Sequence, residues 1–195
     1  SYVSRGFEAY RGFPQAMQAL AELQRRRPGV QVLIAGSDSV CYGASREDGR
    51  SWAHWAREEA GLVPERTHWL GALQTADYHA LLAHTQAHLY LTVPFVLSWS
   101  LLEAMAAGCP IVGSATAPVQ EVIEHGRQGL LADFWQPTEI AAALEALLAD
   151  PDQAAALGKA ARKAARPYSA EQGLNGWRQL IRGLDGPVGK PEYSS

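Results

Sequence analysis

The sequence predicts an α/β fold: one doubly wound parallel sheet of about six strands, with helices on both faces. Three observations predict it. Short apolar runs alternate with helical patterns from Ser1 to Asp133, the mark of strand–crossover–strand units. Runs such as VQVLIAG (30–36) and AHLYLTV (87–93) are mostly apolar, as strands covered on both faces must be. A hydrophobic fraction of 47% and a charged fraction of 19% are ordinary for a globular chain, and 195 residues suit one domain or the larger half of a two-domain protein.

The elements follow in order. SYV opens as a strand. GFPQAMQALAELQRRR places Phe13, Met17, Leu20 and Leu23 at helical spacing, and Pro28-Gly29 ends the helix. VQVLIAG is a strand ending at Gly36, and Ser37 to Arg50 reads as a loop. SWAHWAREEAGL is a helix closed by Gly61; THWLGAL (67–73) is a strand; TADYHALLAHT is a helix with Thr75 as its expected N-cap. AHLYLTV is followed by the helix SLLEAMAAG, which ends at Gly108. PIVGS (110–114) is a strand, PVQEVIEHG a short helix and GLLAD a strand. Three further helices run through PTEIAAALEALLAD, PDQAAALGKAARKAA and SAEQGLNGWRQLIRGL. The domain is expected to span 1–185, and GPVGKPEYSS (186–195) reads as a loose tail.

A net charge of −3 gives no reason to expect nucleic acid or an anionic membrane as partner. No run reaches the ~18 apolar residues of a membrane span. No secretory leader is legible, and the first residues read as the start of a strand, as expected of a chain beginning at a domain boundary. Cys41 and Cys109 stand apart from each other and from any CxxC or Cys/His cluster, which points to reduced thiols and a cytoplasmic setting. No histidine stands at metal-ligand spacing, so no metal site is assigned.

In open parallel sheets ligands bind beyond the carboxyl ends of the strands. After the first strand, Arg5 and Arg11 flank a short loop that feeds a helix; guanidinium groups beside free helical N–H groups favour an anion. After the second, Gly36 allows close backbone approach, but neither GxGxxG nor GxxxxGK[ST] is present. After the fourth, Val93-Pro94-Phe95-Val96-Leu97 leads to a helix that Ser98 can cap. Glu103 then stands alone in an apolar stretch. It either reaches solvent or is met by something polar, such as the paired hydroxyls of a ribose.

LLEAMAAGCPIVGSATAPVQEVIEHGRQGLLADF resembles the nucleotide-sugar-binding half of retaining glycosyltransferases of family 4, which have the GT-B fold. Glu103-Ala104-Met105-Ala106, Gly108, Glu121-Val122-Ile123, Gly126 and Gly129-Leu130-Leu131 fall in step with the family pattern. Arg5 and Arg11-Gly12 match its diphosphate-binding loop, and Gly36 and Leu70-Gly71 match its later strand ends. The resemblance covers roughly 2–182 and implies a Rossmann-like domain with extra C-terminal helices. It further implies a UDP-, GDP- or ADP-sugar donor, no cofactor, and an acceptor bound by an N-terminal domain absent from this chain. It makes Glu103 the ribose ligand. The amides of Val96, Leu97 and Ser98 become diphosphate ligands, and the base is read by backbone near Leu70-Gly71.

One departure stands out. The family's acidic pair has its first member eight positions before Glu103, where this chain has Phe95. No nucleophile or general base is assigned. Trp99 either shields the donor or packs on a neighbour, and the loop of Ser114 and Thr116 and the carboxylate of Glu121 are further candidates beside the sugar. A GT-B nucleotide-sugar epimerase and a non-catalytic nucleotide-binding scaffold are the alternative functions.

Overall fold

The computed structural model describes residues 1–184; the expected tail at 186–195 lies outside them. Six strands form one sheet: β1 (Tyr2–Gly6), β2 (Val32–Ser37), β3 (Thr67–Gly71), β4 (His88–Tyr90), β5 (Ile111–Ser114) and β6 (Leu130–Ala132). Their order is β3-β2-β1-β4-β5-β6, and every pairing is parallel. The chain builds outward from β1 to β3, then returns to β4 and builds the other way. The β1/β4 junction is therefore the switch point, where the first crossovers diverge to opposite sides and leave a crevice.

The helices are α1 (Phe13–Arg26), α2 (Trp52–Glu59), α3 (Thr75–His84), α4 (Trp99–Ala107), α5 (Ala117–Gln120), α6 (Pro137–Ala149), α7 (Pro151–Ala165) and α8 (Ala170–Leu184). They cover both faces. Alternate residues of one strand part company: Leu89 packs with α1, α2 and α6, whereas Tyr90 packs with α3 and α4. Val112 and Ile111 divide in the same way. Helix α7 serves both layers, giving Ala154 and Leu157 to the first and Ala161 and Ala165 to the second. Phe13, Met17, Leu20 and Leu23 are buried along α1, as their spacing requires. Each such side chain contributes about 1.5–3 kcal/mol relative to exposure.

The structure redraws some boundaries. Strand β1 runs on to Gly6, so Arg5 projects from the strand itself, and Arg11 closes a single 3-10 turn (Ala9–Arg11). The N-cap of α3 is Gln74 without a side-chain bond; Thr75 is already helical. The helix expected over 118–126 is only the turn α5, because a parallel bridge between His125 and Gly129 takes the chain into β6. The last helix, α8, leaves Leu174, Trp177, Leu180 and Ile181 exposed. No helix among the described residues is long and apolar enough to cross a membrane.

Candidate functional site

A cavity of about 190 Å³ opens at the switch point between β1 and β4. Its wall brings together Arg5 from β1, Arg11 from the following turn, and Ser98 and Trp99 from the start of α4, with Glu8 and Tyr42 across from them. The first three are residues that sequence reasoning selects.

Local chemistry explains how each is held. Gly12 follows Arg11 with φ of 65°, and a Cβ there would lie 2.6 Å from Leu91 Cβ. Only glycine lets the turn reverse so tightly onto β4. Tyr2 is buried, and its hydroxyl donates to the Arg11 carbonyl at 2.9 Å. The Arg11 guanidinium donates through Nη1 to Thr92 Oγ1 and to the Val96 carbonyl, both at 3.1 Å. It lies against two neighbouring rings, 5.7 Å from the Tyr42 centroid and 5.6 Å from that of Phe95, which are themselves 5.8 Å apart. Phe95 thus stacks on a cation where the family pattern has an acid. Tyr10 extends the aromatic wall, 6.0 Å from Phe95.

Ser98 caps α4, its hydroxyl accepting from the Ser100 amide at 3.3 Å. Its own amide is already engaged: it donates to the Tyr90 hydroxyl at 2.9 Å. Burial raises the Tyr90 phenol above its ordinary pKa, so it stays a protonated acceptor at neutral pH. Of the three amides expected to face an anion, those of Val96 and Leu97 donate no hydrogen bond among the described residues. Trp99 is 82% exposed at the mouth of the cavity and is not packed into the core.

Glu103 sits on the exposed side of α4. Beside it on α3, the Tyr78 hydroxyl is buried without a hydrogen-bond partner. Burial first, and then the charge of Glu103, raise that phenol's pKa. Of the predicted site residues only Arg5, Arg11 and Ser98 line the cavity; Gly36, Leu70, Gly71, Phe95, Val96, Leu97 and Glu103 do not. Gly36, with φ of 144°, is required by packing: a Cβ would meet the Ser4 carbonyl at 2.1 Å. Leu70 and Gly71 end the edge strand β3 and are exposed. Ser114 and Thr116 are buried and fasten the end of β4, both hydroxyls donating to the Thr92 carbonyl at 3.0 and 3.2 Å. Among the described residues, no group of three or more His, Cys, Asp or Glu is placed to share a metal ion. Both cysteines are free; burial pushes the Cys109 thiol up to about 12.

Sequence reasoning passed over Glu8, Tyr10, Tyr42 and Thr92. Glu8 is 1% exposed, and its Oε2 accepts from three successive amides: Cys41 at 3.0 Å, Tyr42 at 2.7 Å and Gly43 at 2.9 Å. These bonds carry the loop after β2 over the cavity and bring Tyr42 onto Arg11. The only local sign was a carboxylate standing between two arginines.

Comparison with known proteins adds to this geometry. The model of the family described as "Glycosyl transferases group 1" matches residues 2–164. The D-inositol 3-phosphate glycosyltransferase of Segniliparus rotundus is 27% identical over 179 residues, 86% of this chain and 37% of the relative. Glycogen synthase of Mycobacterium tuberculosis is 29% identical over 164 residues, 83% of this chain and 36% of that protein. The crystal structure of Anabaena Alr3699/HepE in complex with UDP and glucose superposes with a TM-score of 0.75 at 22% identity, covering 94% of this chain and 47% of that one. The chain therefore spans less than half the length of each of these three proteins.

Proposed function

The chain belongs to the group 1 glycosyl transferases, and from that premise we propose that it is the donor-binding half of a retaining enzyme that moves a sugar from a nucleoside diphosphate to an acceptor hydroxyl. One observation carries the reading. Two guanidinium groups and the amino end of α4 converge on a single cavity at the switch point of the sheet.

The diphosphate occupies this cavity, with Arg5 and Arg11 as its counterions and the free amides before α4 as its donors. As the glycosidic bond to the phosphate breaks, negative charge grows on the departing oxygen. Fixed donors already aimed there lower the barrier without rearranging. The two arginines supply the positive charge, so the reading assigns no metal and no cofactor. Glu103 accepts from the ribose hydroxyls, and backbone near Leu70-Gly71 meets the base. The HepE complex makes UDP the first nucleotide to test, with GDP and ADP after it. The acceptor and any general base lie on a part of the protein outside this chain, which by itself binds nucleotide without transferring sugar. Phe95 in the acid's place favours one second reading, a binding module that transfers nothing. A glycosylated acceptor among the products of the intact protein would exclude it.

Calorimetric titration with UDP, GDP and ADP tests the site. One nucleotide is expected to bind, and Glu103→Ala to weaken it about tenfold, while 2′,3′-dideoxy analogues bind both proteins alike. Failure of all three nucleotides to bind the intact protein would overturn the reading.

A further inference from the structure

The cavity has one carboxylate on its wall, and its two oxygens do different things. Glu8 Oε2 is saturated by the amides of Cys41, Tyr42 and Gly43. Oε1 accepts no hydrogen bond, and Glu8 forms no ion pair within 4.0 Å, among the described residues. Holding the loop requires only one acceptor atom, and a neutral oxygen would serve. A charged group taken almost wholly out of water, with half its acceptor capacity unused, is costly unless the second oxygen also finds a donor. The cavity that Glu8 lines is the place from which a donor can come.

We infer that Glu8 is a sugar-binding residue: Oε1 accepts hydrogen bonds from hydroxyl groups of the donor's glycosyl unit, supplying from the first loop the carboxylate that Phe95 has removed from the fourth. The inference rests on the donor-site reading above. Three features of the site support it. Phe95 stands beside Tyr42, ring centroids 5.8 Å apart, and the Tyr42 amide is bonded to Glu8, so position 95 and Glu8 are linked through one residue of the cavity wall. The tether fixes the carboxylate before ligand arrives, so little freedom is lost on binding. Tyr42 lines the cavity beside Glu8, and with Phe95 and Tyr10 next to it supplies an aromatic surface suited to the apolar C–H side of a pyranose.

The substitution Glu8→Gln separates the two duties. The amide oxygen can replace Oε2 and keep the three loop bonds, while the NH₂ group replaces Oε1 and turns an acceptor into a donor. The intact protein and this variant are titrated with three pairs: UDP and UDP-glucose, GDP and GDP-mannose, ADP and ADP-glucose. The expected result is an unchanged affinity for the free diphosphate and a loss of about tenfold or more for its sugar form. Equal losses for both members of a pair would reduce Glu8 to a loop anchor and overturn the inference, as would no loss for either. If no pair binds the unmutated protein, the donor-site reading itself falls and the inference falls with it. Should Glu8→Gln not fold, the carboxyl carbon shift of ¹³C-labelled Glu8 in the unmutated protein decides. It is expected to move with the nucleotide sugar beyond its response to the nucleotide, and an identical response to both would overturn the inference.

Discussion

Replacing Arg11 by alanine should loosen two loops at once. The side chain makes two charge-assisted hydrogen bonds, to Thr92 Oγ1 and the Val96 carbonyl, and lies against the rings of Tyr42 and Phe95. A hydrogen bond from a charged donor contributes about 1.5–3 kcal/mol. Arg11 is only half-buried, and water can replace it at the exposed Val96, so the low end applies here. Each cation–π contact at such a site adds about 0.5–1 kcal/mol. Shared partners make these terms less than additive, and a total near 2–3 kcal/mol is expected. Most of it should appear as local opening of 39–46 and 94–98, because the core beneath is complete without Arg11. Hydrogen exchange of the amides in these loops is the assay: protection should fall about 30- to 150-fold in both, with the β-sheet amides little changed. Arg11→Lys keeps the charge but not the planar fork and should fall between. Unchanged exchange in the 39–46 loop would refute the idea that Arg11, Tyr42 and Phe95 form one unit.

Phe95→Glu restores the acid and sets it beside Arg11; it should lower diphosphate affinity roughly three- to tenfold by neutralising that cation, and an increase would contradict this. Gly158→Ala gains about 1 kcal/mol of helix propensity, yet its Cβ would meet the Gly108 carbonyl oxygen at 2.2 Å where α7 crosses the end of α4. Backbone cannot yield as a side chain can, so overpacking of about 1–3 kcal/mol should prevail, and a raised melting temperature would show otherwise. His88 is fully buried, and burial lowers its pKa from 6.5 to about 3. The unfolded chain then binds the proton more readily, so its contribution is intact above pH 6.5 and is lost between there and 3. The slope is about 1.4 kcal/mol per pH unit. Urea melts of His88→Gln should lack this acid limb, and parallel curves for variant and parent would refute it.

The sheet was legible because its strands are apolar on both faces, and a run such as HLY has no other place to go. Arg5, Arg11 and Ser98 were legible because strand ends and helix starts are local features, and a switch-point sheet brings such ends together. Glu8 and Tyr42 were not, because they meet across 34 residues of chain through backbone amides, which leave no pattern in side chains. Ser98 shows the same limit on a smaller scale. Its place as a cap is local, but the donation of its amide to Tyr90 depends on a tyrosine whose orientation only the packed sheet determines. The short α5 was overdrawn because PVQEVIEHG has helical spacing, while the bridge from His125 to Gly129 that ends it is tertiary.

The central claim is that a nucleoside diphosphate binds at the β1/β4 crevice, and the measurement that tests it most directly is an amide shift map of the ¹⁵N-labelled chain titrated with UDP, GDP and ADP. The expected result, with one of the three, is a saturable set of shifts on Arg5, Arg11, Val96, Leu97, Trp99 and Glu103, abolished by Arg5→Ala with Arg11→Ala. Shifts centred on the opposite end of the sheet, around Leu23, Val30 and Ala87, would contradict it, as would a map unaltered by the double substitution.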